Sequence, residues 1–126
     1  MISFDNFKDD GGRPVYLQIV YFVKRGVAAG SIADGDELPS RRVLSALLGI
    51  NPNTVQRAFK MLEDEGLIES RAGAKSFMTL SSGTIEGLRE ELRSEDIRSI
   101  TRSLRQSGLS KEDALSLIDR YWDEDE

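Results

Sequence analysis

The chain contains no cysteine and no histidine. The first absence removes disulfides, thiolate nucleophiles and the sulfur ligands of structural zinc. The second removes the side chain that most often serves as a general base near neutral pH. Catalysis would have to rest on carboxylates, Lys, Ser or Tyr. No nucleophile constellation, phosphate-cradling loop or metal cluster accompanies them. The composition therefore argues against an enzyme, a cofactor and a bound metal. No apolar run approaches the ~20 residues needed to cross a bilayer. The opening MISFDNFKDD lacks the basic start and apolar stretch of a secretory signal. A cytoplasmic protein with no membrane partner is expected.

What remains is 126 residues, 39% hydrophobic and 31% charged, enough for one ordinary domain or a small domain with an appendage. The formal net charge is −5, but it is unevenly spread. Residues 39–79 carry six basic and four acidic side chains, residues 1–38 four and six, and residues 80–126 seven and twelve. The middle third alone is positive. A polyanion responds to the local field rather than to the whole-chain sum.

The spacing of apolar and breaking residues predicts mostly helix. Residues 1–12 read as a loose N-terminal arm. A helix starts at Pro14, carries Tyr16, Ile19, Val20, Val23 and Val27 on one face, and ends at Gly30. Residues 31–38 read as a loop with at most a very short strand. Ser40 caps a second helix over 41–48, which Gly49 stops. Asn51 caps a third, with Pro52 at its first position, running to about Glu65 before Gly66. Residues 67–70 and 75–80 are strand-like, with Arg71-Ala72-Gly73-Ala74 as a hairpin tip. Phe59, Leu62, Leu67, Ile68 and Phe77 are the expected core there. After Ser81-Ser82-Gly83 a long helix covers about 84–106. The five-residue step from Leu92 to Ile97 suggests a kink or break near Ser94. Gly108 ends it, and Ser110 with Asp113 opens a last helix bearing Ala114, Leu117, Ile118, Tyr121 and Trp122. Residues 123–126 form an acidic tail.

The stretch from Arg41 to Arg57 carries the functional signal. Two helices flank a turn at Gly49. Leu44, Leu48, Ile50, Val55 and Ala58 point into a small shared core. The second helix begins Asn51-Pro52-Asn53-Thr54 and shows Gln56, Arg57 and Lys60 outward. An exposed helix with a short, polar start is what a DNA major groove accepts. A plain helical hairpin could show the same outline. Here a basic hairpin with Arg71 and Lys75 follows at once, which completes a winged helix-turn-helix.

These residues resemble one family. Leu38-Pro39-Ser40-Arg41-Arg42-Val43-Leu44, Leu48-Gly49-Ile50-Asn51-Pro52-Asn53-Thr54-Val55-Gln56-Arg57-Ala58-Phe59 and Leu62-Glu63-Asp64-Glu65-Gly66-Leu67-Ile68-Glu69 are similar to the GntR family of bacterial transcription regulators. Pro14-Val15-Tyr16-Leu17-Gln18-Ile19 resembles the start of its first helix. The Asn-Pro-Asn-Thr-Val run and the short C-terminal part resemble the YtrA subfamily. The resemblance covers about residues 13–79. It implies a homodimer that binds a dyad-symmetric operator in double-stranded DNA, often as a repressor. YtrA-type relatives sit beside transporter genes, so a transporter operon is the implied target. The resemblance places Arg42 where the family's Pro-Ser-x-Arg arginine reaches DNA. It assigns Asn51, Asn53, Thr54, Gln56 and Arg57 to the recognition helix, and Arg71, Ala72 and Gly73 to a wing that enters the minor groove. Many relatives carry Arg at the place of Gln56, whereas this chain has Arg57 one step later. Lys75 supplies charge where relatives have Gly-Arg-Gly in the wing.

Simple chemistry agrees with these roles. Arg42 lies at the positive end of a helix, an unfavourable place for a cation unless it serves a contact. Its fork can read guanine or clasp a phosphate. Arg41 is equally suited to a phosphate or to solvent. Asn51 is first a cap, and Lys60 can pair with Glu63 or Asp64.

The expected architecture is therefore mainly α with a small β-hairpin. A winged helix-turn-helix over 13–80 is followed by a short two-helix dimerisation segment over 84–122. That segment is too short for a separate core, so its apolar stripes need a second copy. Leu88, Leu92, Ile100, Leu104, Tyr121 and Trp122 are the expected dimer interface. Glu90, Glu91, Glu95 and Asp96 alternate with Arg89, Arg93 and Arg98, which reads as an ion-paired surface rather than a metal site. A small-molecule effector stays open as a partner, acting through a groove between the C-terminal helices and the winged domain if it acts at all. The alternative to a regulator is a winged module that binds protein without DNA affinity. For that role the basic surface at Arg42, Arg57 and Arg71 is superfluous.

Overall fold

Helices dominate, and the reasons are local. α1 (Val15–Ala29) starts after Pro14 and ends at Gly30, whose φ of 87° admits the left-handed cap. α2 (Arg41–Leu48) and α3 (Pro52–Asp64) follow, then a sheet and the helices α4 (Ser82–Gln106) and α5 (Lys111–Tyr121). The computed structural model describes residues 1–71 and 75–124. The chain divides into two compact units, Met1–Arg89 and Glu90–Glu126.

The sheet of the first unit has three antiparallel strands: β1 (Glu37–Leu38), β2 (Ile68–Arg71) and β3 (Lys75–Met78), in the order β1-β3-β2. Register pairs Leu38 with Ser76 and Ile68 with Met78. Strand alternation then decides which side chains enter the core. Ser76 and Met78 point inward, and Phe77 is only half-buried. The expectation that Phe77 is a core residue is thus corrected by one step of register. The Ser76 hydroxyl is buried with no hydrogen-bond partner among the described residues.

The core of this unit joins Ile19, Val20, Val23 and Val27 of α1 to Val55, Ala58, Phe59 and Leu62 of α3, with Leu44 of α2 and Leu38 and Met78 from the sheet. α1 closes tightly on the loop that follows it. A Cβ added to Gly26 would stand 2.5 Å from Ile32 Cδ1, so no larger residue fits without displacing Ile32. Lys24 is buried on the same helix and donates to Glu65 Oε1 at 2.8 Å, tying α1 to the end of α3.

The N-terminal arm is not loose. Phe4 is 3% exposed and stacks on Phe22 with centroids 4.9 Å apart, while Phe7 meets both rings edge-on. Ile2 is buried too, and its N–H donates to the Glu37 carbonyl at 2.8 Å. Gln18 Nε2 donates to Asp9 Oδ1 and the Arg13 carbonyl, and its Oε1 accepts from Asp10 N–H. Backbone N–H groups of Gly12 and Arg13 hold the exposed Asp10 carboxyl below its usual range. Ile2, Phe4 and the rings of Phe7 and Phe22 supply this packing, with too few apolar positions in the arm to mark a helix or a strand.

α4 is continuous through Ser94, so the expected break is absent. Its first turns belong to the first unit, where Ile85 and Leu88 pack on the core and Arg89 Nε donates to the Ala28 carbonyl at 3.0 Å. Leu88 is 5% exposed and Leu92 4%. Both are buried without a second copy, which leaves little of either side chain for a dimer interface. In the second unit α5 has no buried residue among those described, and Ser110 caps it by accepting from Asp113 N–H.

Truncating Phe4 to Ala is expected to cost about 3–5 kcal/mol, the range for removing a buried aromatic ring. Urea unfolding followed by circular dichroism measures it. A midpoint equal to that of the unaltered protein would mean that the arm contributes nothing to the core.

Candidate nucleic-acid interface

The interface is built on one tight turn. Ser40 Oγ accepts from Val43 N–H and opens α2. Gly49 adopts φ 67°, which a Cβ would strain, and so turns the chain at the end of α2. Ser45 sits on the buried side of α2. Its hydroxyl donates to the Ile50 carbonyl at 2.6 Å, while Ile50 N–H donates to the Ser45 carbonyl at 3.1 Å. These two bonds hold the loop between the helices. Asn51 Oδ1 then accepts from Asn53 N–H at 2.8 Å, and Pro52 fills the first helical position, where an N–H has no intrahelical partner anyway.

With Val55, Ala58, Phe59 and Leu62 locked inward, the other side of α3 must face solvent. Asn51, Asn53, Gln56, Arg57 and Lys60 are exposed there, and Thr54 is half-buried. Lys60 donates to Asp64 Oδ1 at 2.9 Å, which raises its pKa and ties it along the helix. That settles its pairing in favour of Asp64. Arg57 Cζ stands 4.0 Å from the centroid of the Tyr16 ring.

The two arginines at the start of α2 separate. Arg42 is exposed, and among the described residues it has no ion-pair or hydrogen-bond partner. Arg41 turns toward α3. Its guanidinium lies 4.9 Å from the Phe59 ring centroid and 3.7 Å from Glu63 Oε1, and its Nε is buried. It braces two helices of the same chain. Glu63 also accepts from Ser70 Oγ at 2.9 Å, so one carboxylate joins α2, α3 and β2.

The wing brings further cations to the same unit. Arg71 and Lys75 are paired across β2 and β3, and both are exposed. Arg71 donates to Glu69 Oε1 through Nη2 at 3.0 Å and lies 4.4 Å from the Phe77 ring centroid. Phe77 is therefore a platform for the wing arginine rather than part of the core. Ala72 and Gly73, expected at the tip, lie outside the described residues.

Ser45, Glu63 and Tyr16 were not singled out from the sequence as site residues. Ser45 had a readable signal, a polar residue on the inward side of a short helix five positions before Ile50. Glu63 and Tyr16 had none, because each acts through a neighbour brought near only by helix packing. Among the described residues no group of acidic side chains gathers as a metal site.

A polar helix start held outward by a closed turn, with basic strands following it, defines a winged helix-turn-helix of the DNA-binding kind. Comparison with known proteins agrees. Residues 15–77 match the bacterial regulatory proteins of the gntR family. The transcriptional repressor YtrA of Bacillus subtilis is 37% identical over 64% of this chain and 66% of its own length. A GntR family transcriptional regulator from Listeria monocytogenes superposes with a TM-score of 0.76 at 28% identity, over 90% of this chain and 98% of that one. YtrA from Sulfolobus acidocaldarius, a GntR-family transcription factor, gives 0.57 at 29% identity, over 79% and 99%. The chain belongs to the GntR family, and its likeness to the YtrA proteins places it in the YtrA subfamily. It is a DNA-binding transcription regulator.

Replacing Ser45 by Ala leaves the Ile50 carbonyl without its hydroxyl donor. A loss of about 1–3 kcal/mol in unfolding free energy is expected from an orphaned, partly buried acceptor. Thermal and urea unfolding measure it, and an unchanged stability would show that the turn is held by the backbone alone.

Proposed function

We propose that the protein is a homodimeric repressor that binds a dyad-symmetric operator, with Arg42, Asn53, Thr54, Gln56 and Arg57 in the major groove and Arg71 and Lys75 on the flanking backbone or minor groove. The observation that carries this reading is Arg42. It is a guanidinium fork at a helix start, exposed and without a protein partner among the described residues. An arginine so placed matches guanine O6 and N7 or a phosphate in bidentate fashion. Asn51 adds the exposed N-terminus of α3, whose positive dipole end suits a phosphate. Arg41 has no part in base reading on this view, because Glu63 and Phe59 hold it. Repression is supported by the B. subtilis relative YtrA, a transcriptional repressor.

Pairing is supported by the second unit. Ile97, Ile100, Leu115, Ile118, Tyr121 and Trp122 are all exposed there, with Trp122 at 76%. α4 and α5 also enclose an apolar groove lined by Leu104, Leu109, Ala114, Leu115 and Ile118. So much exposed apolar surface on the end of α4 and on α5 is the mark of an interface. Two-fold pairing would repeat one recognition face on each half of a palindrome. With Leu88 and Leu92 already covered, the interface centres on Ile100, Leu104, Tyr121 and Trp122. Among the described residues no helix is long and apolar enough to cross a membrane. The reading places the protein with its DNA in the cytoplasm.

Two measurements test this. A duplex recovered by selection from random double-stranded DNA serves as probe for fluorescence anisotropy. Affinity is expected to fall steeply with salt, because each neutralised phosphate releases counterions. Arg42→Ala is expected to weaken binding by about 5- to 150-fold, equivalent to about 1–3 kcal/mol, with the melting temperature unchanged. Salt-insensitive or unaltered binding would sink the assignment and favour a module that binds protein instead. Separately, Ile100→Asp is expected to give a monomer in size-exclusion chromatography with light scattering, against a dimer for the parent. A parent that is already monomeric at micromolar concentration contradicts the pairing.

A further inference from the structure

Four arginines of the first unit lie against aromatic rings, and they differ in what else they touch. Arg13 on Tyr21 also pairs with Asp10, Arg41 on Phe59 with Glu63, and Arg71 on Phe77 also donates to Glu69. Arg57 has the closest ring contact, 4.0 Å from the Tyr16 centroid, and among the described residues no protein acceptor takes its N–H groups. We infer that Tyr16 is a positioning residue for DNA recognition: its ring holds the Arg57 guanidinium at one place beside α3 and thereby fixes the base pair that Arg57 reads. The inference rests on the operator-binding reading above.

The geometry favours positioning over mere packing. Tyr16 is half-buried against the core near the start of α1, so its ring is anchored from below. Arg57 is exposed one helical turn beyond Asn53, on the side of α3 that carries the groove-facing residues. A cation–π contact engages the face of the ring and leaves the donors at the guanidinium edge free for guanine O6 and N7. A long, unpaired arginine on a helix surface samples many rotamers and must lose them on binding. Resting it on a fixed ring removes part of that loss in advance. A carboxylate partner would restrain the side chain too, but would occupy the donors that the base needs. That is the difference between Arg57 and the other three.

The test uses the full chain and the duplex recovered by selection. Tyr16→Phe keeps the ring and is expected to retain both affinity and base preferences. Tyr16→Leu is expected to weaken binding about two- to fivefold, the equivalent of an exposed cation–π contact. It should also flatten the preference at one base pair in each half-site, the same pair at which Arg57→Ala loses its preference. In the Arg57→Ala background, Tyr16→Leu should have no further effect. Equal weakening by Tyr16→Leu with and without Arg57 overturns the inference, because the tyrosine then acts through packing alone. Arg57→Ala alters only an exposed side chain, so it decides the matter even if Tyr16→Leu does not fold: unchanged preference at every base pair overturns the inference. Failure of the unaltered protein to enrich any sequence would instead overturn the operator-binding reading on which the inference stands.

Discussion

The turn between α2 and α3 sets everything that follows it. Gly49 allows the reversal, and the paired bonds between Ser45 and Ile50 hold it. Once that angle is fixed, burial of Val55, Ala58, Phe59 and Leu62 leaves one orientation for α3. Its polar start and the Arg57 side then face water. The same residues on a freely hinged helix would offer no single surface to a groove. Recognition here is a consequence of where the apolar stripe is forced to go.

Electrostatics refines this picture. The chain is acidic overall, yet its basic side chains are sorted by their partners. Arg41, Lys24 and Lys60 are tied to carboxylates of α3 or its end. Arg71 is shared between Glu69 and the Phe77 ring. Arg42 and Arg57 keep their donors free of protein acceptors among the described residues. Paired cations near a surface contribute little net field, whereas unpaired ones attract a polyanion. The distinction between arginines that brace the fold and those left unpaired is therefore one of local partners, and net charge conceals it.

Much of the fold was legible in the chain because its punctuation is strong. Ser40, Gly49, Asn51, Pro52, Gly66 and Ser110 each act within a few residues, and each stands where the helix ends require. What was not legible depended on distant contacts. The arm of Ile2 and Phe4 has no period, and only the Phe22 ring and the β1 edge reveal its place. Phe77 and Ser76 exchanged faces because strand register, not hydrophobicity, decides which one points inward. The step from Leu92 to Ile97 marks where burial stops along a continuous α4, with Leu92 buried and Ile97 exposed, rather than a break. For the recognition face the residue types sufficed to nominate Arg42 and the start of α3. Nothing in the linear order placed Tyr16 beneath Arg57 or turned Arg41 away.

In the second unit Ile97, Ile100, Leu115, Ile118, Tyr121 and Trp122 stand exposed, and the proposed homodimer would cover them. The most direct measurement of the central claim is amide chemical-shift mapping by NMR as the selected duplex is titrated into the labelled protein. Shifts are predicted to concentrate at Ser40–Arg42, Asn51–Arg57, Arg71 and Lys75. Shifts concentrated instead on α5, or on the exposed Val43 and Leu47 face of α2, would contradict it.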